Sequence, residues 1–260
     1  MTGRVIAKIG TRVKSLLVKR HANLPAIAVT DRDAAAIHAG TVFAGATFRK
    51  DTAIEAPAGG YVAGTDYVVH IVRGRPVARP MTAARISPPI LGGFHFAPGG
   101  NAVATEGGDA IPAINPHSCW DCNFRPACPN PRGMTRVVRP DENSFWCDIY
   151  LLARDHREGG TSRFGVVIAD GNNPPENLGG GYYKRCDFAA VTAVYKHHGK
   201  GLLSAEDFFA AAYGVKERSA AGVDPGTTKC DPPRTSRFGV MQATGNLLVW
   251  GTDGHPDDPR

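Results

Sequence analysis

Six cysteines, Cys119, Cys122, Cys128, Cys147, Cys186 and Cys230, are the residues of this 260-residue chain most able to do chemistry. Three lie close together. Cys119-Trp-Asp-Cys122 is a Cys-x-x-Cys pair, with Cys128 six residues on and His117 two before. His-x-Cys-x-x-Cys-x₅-Cys is compact enough to wrap a tetrahedral zinc ion. The spacing of its second half is not that of a standard finger or ribbon. A redox pair would need a helix N-terminus in a thioredoxin-like βαβ setting. The flanking Trp-Asp and Asn-Phe-Arg-Pro read instead as loop. Disulfide bonding is the third reading, and spacing does not choose among the possible pairings.

Other candidates are weaker. Asp170-Gly-Asn-Asn173 and the acids Asp253, Asp257 and Asp258 offer oxygens for calcium, but neither set has an established loop pattern. Turn formation explains the first and a solvated tail the second. His197-His198 sits where a helix ends, a place the helix dipole favours for imidazole. A metal site with Cys186 is the sharper and less favoured reading. Asp148, Asp155 and His156 supply acid and imidazole without a nucleophile beside them. Nothing forms a phosphate loop, a catalytic carboxylate pair or a Ser/His/Asp set. The chain is expected to be no enzyme and to carry no cofactor or metal.

The elements that must position these residues are short. Gly (31) and Pro (20) are both abundant, which favours short strands and many turns. No run is long and apolar enough to span a membrane. The net charge of +6 is local. Arg4, Lys8, Arg12, Lys14, Lys19 and Arg20 account for all of it, and no acid falls among the first twenty residues. The rest is balanced, which disfavours a nucleic-acid-binding face. Residues 1–22 read as a basic arm. Ile6, Ile9, Val13 and Leu16 or Leu17 recur at helical spacing, and no uninterrupted apolar core marks a signal peptide. Docking against another subunit is the preferred role. Binding an acidic surface, a nucleic acid or a membrane surface is the alternative.

Residues 23–80 read as a small all-β domain, with Ala26–Val29, Thr41–Phe43 and Tyr67–Val72 as strands. Residues 81–116 hold Ser87-Pro-Pro89, Gly92-Gly93, Pro98-Gly-Gly100 and Gly107-Gly108, and read as a linker. Order resumes from 117 to 260. Phe145–Leu152 and Thr161–Ala169 are strand candidates. Asp187 caps a helix whose face is Phe188, Val191, Tyr195 and His198, stopped by Gly199. Ser204 opens a second helix, with Asp207 at the capping-box position and Phe208, Phe209 and Ala212 on its apolar face. Thr235–Gly251 reads as a strand, a Gly-Asn turn and a second strand. The hexapeptide Thr-Ser-Arg-Phe-Gly-Val occurs at 161–166 and again at 235–240, read as two strands with similar local needs rather than a repeat.

The span from Arg185 to Gly251 resembles the formylglycine-generating-enzyme-like branch of the C-type lectin fold. The Phe188–His197 helix, the run His198-Gly-Lys-Gly-Leu-Leu-Ser-Ala-Glu-Asp-Phe-Phe-Ala-Ala-Ala-Tyr-Gly214 and Gly245-Asn-Leu-Leu-Val-Trp250 carry that likeness. Gly245, Asn246 and Trp250 are its fold signature. From Gly92 onward the chain resembles bacteriophage tail proteins related to the major tropism determinant. Gly92-Gly-Phe-His-Phe-Ala-Pro-Gly-Gly-Asn101, Pro112-Ala-Ile-Asn115, Phe124-Arg-Pro-Ala-Cys-Pro-Asn-Pro-Arg-Gly-Met134 and Phe145–Leu152 carry this second likeness.

The resemblance implies an α+β chain. A small all-β domain precedes a C-type-lectin-like domain with two helices and short antiparallel strands. It implies a virion protein, made in the host cytoplasm and assembled as a trimer with other virion proteins. The expected role is a tail-fibre or receptor-binding appendage that meets a host-surface glycan or protein. A collar, cement or decoration protein without a ligand site is the alternative. In both families further chain follows the Gly-Asn-x-x-x-Trp motif, and in the enzymes it holds the catalytic cysteines. Ten residues follow Trp250 here. The resemblance therefore excludes the oxidase reading and implies a shortened lectin domain whose exposed edge something must cover. For a virion protein that oxidises on release, disulfides become the preferred use of the six cysteines.

Overall fold

The computed structural model describes residues 17–81 and 89–253. The fold is mostly β, with antiparallel sheets and three helices among the described residues. The chain opens with six short strands: β1 (Leu17–Val18), β2 (Ile27–Asp31), β3 (Ala34–Ile37), β4 (Thr41–Phe43), β5 (Ala46–Phe48) and β6 (Thr52–Ala53). They form two small sheets, in the orders β1-β4-β5 and β2-β3-β6. Two long strands follow, β7 (Thr65–Val72) and β8 (Arg75–Pro80), then β9 (Ile90–Ala97), β10 (Ala113–Ile114) and β11 (Trp120–Asp121). These make the central sheet, in which β9 pairs with β7, β10 and β11.

The strand at 90–97 corrects the linker reading of 81–116. All eight residues of β9 are buried. Its glycines serve close packing, not flexibility. A Cβ on Gly93 would lie 2.3 Å from the Tyr67 carbonyl oxygen and 2.9 Å from the Trp120 ring. One core joins all three sheets. Leu17, Ile27, Ile37, Phe43 and Phe48 pack with Tyr67, Phe94, Phe96 and Ile114. Tyr61 lies edge-on to Tyr67 and Phe94, with centroids 4.8 and 5.6 Å away.

The second half holds the hairpin of β12 (Met134–Val138) and β13 (Ser144–Asp148), then α1 (His156–Gly159), α2 (Phe188–His197) and α3 (Ala205–Ala212). Both longer helices start where their caps predict. The Asp187 side chain accepts from Ala190 N–H, and Ser204 accepts from Asp207 N–H. Of the expected face of α2, Val191 is buried and Phe188, Tyr195 and His198 are half-buried, while Ala190 and Val194 are buried as well. On α3 the apolar face is different: Ala211 and Ala212 are buried, whereas Phe209 is exposed. A helix of eight residues has room for one narrow stripe, and the Ala side lies against the hairpin.

Two expected strand regions are not regular strands. Thr161–Ala169 makes only isolated bridges, to Leu152, Ala153 and Thr227. Thr235–Gly251 forms turns. The repeated hexapeptide explains part of this. In each copy the Thr and Ser are buried, and the glycine turns through the left-handed region, φ 72° at Gly165 and 77° at Gly239. The repeat encodes a buried polar turn. After Gly245 the chain bends and then runs irregularly, and among the described residues no strand pairs with it.

Candidate functional site

A cleft of about 730 Å³ lies between the β12–β13 hairpin, α2, α3 and residues 240–250. Met134, Trp146, Val191, Tyr195, Phe208 and Trp250 supply much of its apolar wall. One charged pair sits in that wall. Lys200 Nζ lies 2.5 Å from Asp148 Oδ1 and 2.8 Å from Thr161 Oγ1. Thr161 passes its own proton to Asp148 Oδ2 at 2.7 Å. Both charged side chains are nearly buried, so each neutralises a charge the other could not leave exposed to apolar surroundings.

The signature residues stitch the last segment to the helices. Trp250 Nε1 donates to the Cys186 carbonyl at 3.3 Å, and its ring stands edge-on to Phe188. Asn246 Nδ2 donates to Asp231 Oδ2, and Asp231 holds the Arg234 guanidinium with both oxygens. Gly245 leaves no room for a side chain, since a Cβ there would lie 2.2 Å from the Ser219 carbonyl oxygen. Leu248 and Val249, by contrast, are exposed. Gly245, Asn246 and Trp250 thus hold a shape, while the residues between Asn246 and Trp250 form the cleft rim.

The cysteines correct the disulfide expectation: all six are free thiols. They are dispersed. Cys119 lies in the main core, Cys122 is exposed, and Cys128, Cys147 and Cys186 line the cleft. Cys230 packs its sulfur near the Asp109 carbonyl. Burial pushes Cys119 and Cys147 up to about 12 and Cys186 to about 11, and raises the other three. The raised values disfavour the thiolate, and burial makes Cys119 and Cys147 inert.

The zinc arrangement is not assembled either. Residues Trp120 and Asp121 lie between Cys119 and Cys122 as β11, which buries one cysteine and leaves the other in solvent. His117 packs edge-on to Phe238, and burial, aided by Arg136 and Arg237, holds it down to about 4. Among the described residues no three His, Cys, Asp or Glu side chains group as metal ligands. Asp170 accepts from the backbone N–H of Asn172 and Asn173, as a turn requires. Asp253 accepts with both oxygens from Ala205 N–H, at the start of α3. Asp257 and Asp258 lie outside the described residues.

The docking arm is also revised. Arg4, Lys8, Arg12 and Lys14 lie outside the described residues, and Arg20 is exposed. Lys19 faces inward. Its Nζ lies 2.7 Å from Asp121 Oδ2 and 2.7 Å from the Leu24 carbonyl, with the Phe124 ring 5.2 Å away. Asp121 also accepts from Ala26 N–H at 2.8 Å and is wholly buried. Lys19 is therefore a structural counter-ion.

Two clusters escape sequence reasoning because their members are far apart. His95 sits between Asp66 and Tyr150: Nε2 is hydrogen-bonded to Tyr150 Oη at 2.8 Å, and Nδ1 lies 3.3 Å from Asp66 Oδ1 without a hydrogen bond. Burial raises Tyr150 well above its usual range, so its hydroxyl stays protonated. His95 and Tyr150 are buried and Asp66 is partly exposed, and the row fastens the second half to β7 and β9. His156 and His198 form the second cluster, with ring nitrogens 2.9 Å apart.

Comparison with known proteins agrees with this architecture. The family described as "Mtd second domain" matches residues 25–121, running through the segment read as a linker and ending at β11. The tail fiber receptor-binding protein of Bordetella phage BPP-1 is 37% identical over 270 residues, spanning 93% of this chain and 68% of that protein. The U1 variant of the Major Tropism Determinant superposes with a TM-score of 0.85 at 37% identity, over 93% of this chain and 69% of its own. The I1 variant gives 0.84 at 37% identity, over 91% of this chain and 68% of its own. With that identity sustained across nearly the whole chain, from the small sheets to the cleft, the protein belongs to the family of the phage major tropism determinants.

Proposed function

We propose that this protein is a virion component of a tailed bacteriophage, a tail-fibre receptor-binding protein that attaches the particle to its host. The observation that carries the reading is the 37% identity to a tail fiber receptor-binding protein across 93% of the chain. The chain acts by binding and not as an enzyme. It divides into a β body ending near residue 121 and a C-type-lectin-like body after it. The family match at 25–121 supports the first boundary, and α2, α3 and the Gly245–Trp250 signature support the second. It assembles as a homotrimer against other virion proteins and meets a host-surface glycan or protein through the second body. The apolar cleft with Leu248 and Val249 on its rim supports such contacts, since exposed apolar patches mark association surfaces.

Gold-labelled antibody against the protein tests the placement. Label at the tail fibres, with antibody fragments blocking adsorption, is the expected result. Label on the collar or capsid with adsorption intact would favour the structural alternative. Light scattering of the purified chain tests the trimer, and a stable monomer would remove it.

A further inference from the structure

Three segments distant in sequence meet at two imidazoles. His156 opens α1 and is fully buried. Its Nε2 lies 2.8 Å from the carbonyl oxygen of Glu176, and its Nδ1 lies 2.9 Å from Nε2 of His198. A carbonyl oxygen only accepts, so His156 Nε2 carries the proton. Its Nδ1 is then an acceptor, and His198 must present Nε2–H to it. Both tautomers are thereby dictated by the partners. The rings stand edge to face, with centroids 5.1 Å apart and planes at 81°. His198 also ends α2, its backbone N–H directed at the carbonyls of Val194 and Tyr195. Two residues later Lys200 joins Asp148 and Thr161 in the cleft wall.

We propose that the His156–His198 pair is a proton-operated latch that clamps the end of α2, and the cleft wall after it, to α1 and the Glu176 loop until both rings are protonated. One added proton can be shared. His156 would donate Nδ1–H to a His198 whose own proton has moved to Nδ1. A second proton sets N–H against N–H and charge against charge, and the contact parts.

The surroundings on balance oppose a positive charge on either ring. Burial is the largest influence on both rings. Around His156, Arg157 and His197 oppose a positive charge, whereas Glu176 favours it. Around His198, the charged forms of His156, Lys200 and His197 oppose it and Asp148 favours it. His156 is held below its ordinary value, and His198 is held at about 4. Both values lie under those of the unfolded chain, so the folded state binds fewer protons. The latch's contribution is complete above the ordinary imidazole value near 6.5 and is lost as pH falls from there to about 4.

Imidazole ¹⁵N spectra and melting curves of the full chain test this. At pH 7.5 both His156 and His198 should show the Nε2–H tautomer. His198→Gln keeps an amide donor within reach of His156 Nδ1 but does not titrate. Between pH 7.5 and 5 its loss of Tm should be smaller than that of the parent chain by about 2–4 °C. His197→Gln removes one opposing charge but leaves the pair's hydrogen bond, so its pH dependence should lie closer to the parent's than to that of His198→Gln. An Nδ1–H tautomer at His156, or equal pH dependence in the two variants, would overturn the latch. Should His198→Gln fail to fold, the tautomers in the parent chain decide the matter alone.

Discussion

Asp148 and Lys200 are where a single atom matters most. Each carries a charge in a mostly apolar wall, with the other as its counter-ion and Thr161 as a shared hydrogen-bond partner. Lys200→Met should destabilise the protein by about 3–5 kcal/mol in urea unfolding. The double variant Lys200→Met/Asp148→Leu should recover most of that loss, because it removes the orphaned charge too. A double variant no more stable than the single would show that the pair does more than cancel itself. The thiols give a second prediction. In the native protein a thiol reagent at pH 8 should modify Cys122 first, and reach Cys119 and Cys147 only on unfolding. Immediate reaction at Cys119 would mean that the main core is open. At this scale the sequence exposes residue types but not company. Nothing local to Lys19 announces that it belongs to Asp121, 102 residues away. Nothing local to His156 points to His198, 42 residues on.

Elements are legible where their signals are local. α2 and α3 carry their own caps, Asp187 and Ser204, within one turn of their starts. Ser204→Ala should cost about 1 kcal/mol, seen as a lower urea midpoint with an unchanged slope. An unaltered midpoint would mean that Asp253, which also meets the first turn, suffices alone. β7 is legible from its unbroken Tyr67–Val72 run. β9 is not, because Gly92-Gly93 between prolines is the ordinary mark of a linker. Its strand character comes from Tyr67 on one side and Trp120 on the other, and neither is near in sequence. Gly93→Ala should therefore leave little soluble folded protein, since the added carbon meets backbone on one side and a tryptophan ring on the other. The opposite error occurs at Gly245–Trp250. Its Leu-Leu-Val-Trp run suits a strand, but a strand needs a partner, and no described one flanks it.

For the whole molecule, acid is the telling variable. His117 is held down to about 4 by burial, and His198 also to about 4. Both lie below the unfolded value, so folding excludes protons and stability should decline as pH drops from about 6.5 toward 4. Urea midpoints measured at intervals across that window should fall steadily. Replacing His117 with Phe beside Phe238 should flatten part of the slope. A flat profile in the parent chain would show that both rings are protonated without cost. The resemblance read from residues 92 onward identifies the family, while the packing of Lys19, β9 and the histidines needs the assembled chain.

The carbonyl oxygen of Phe238 has a bearing on time as well as shape. It accepts from Asn115 at 3.0 Å and from Thr135 at 2.6 Å, closing contacts across 123 and 103 residues. The β body closes earlier in synthesis, since Lys19 meets its partner once Asp121 exists, well before Phe238 is added. On a ribosome adding about 5–20 residues per second, Asn115 stands without its partner for roughly 6–25 s. The first body can thus close while the second is still being made. The nascent hairpin at Met134–Asp148 must meanwhile be kept from other chains, which makes this interval the period when chaperone capture or premature association between growing chains would do most harm.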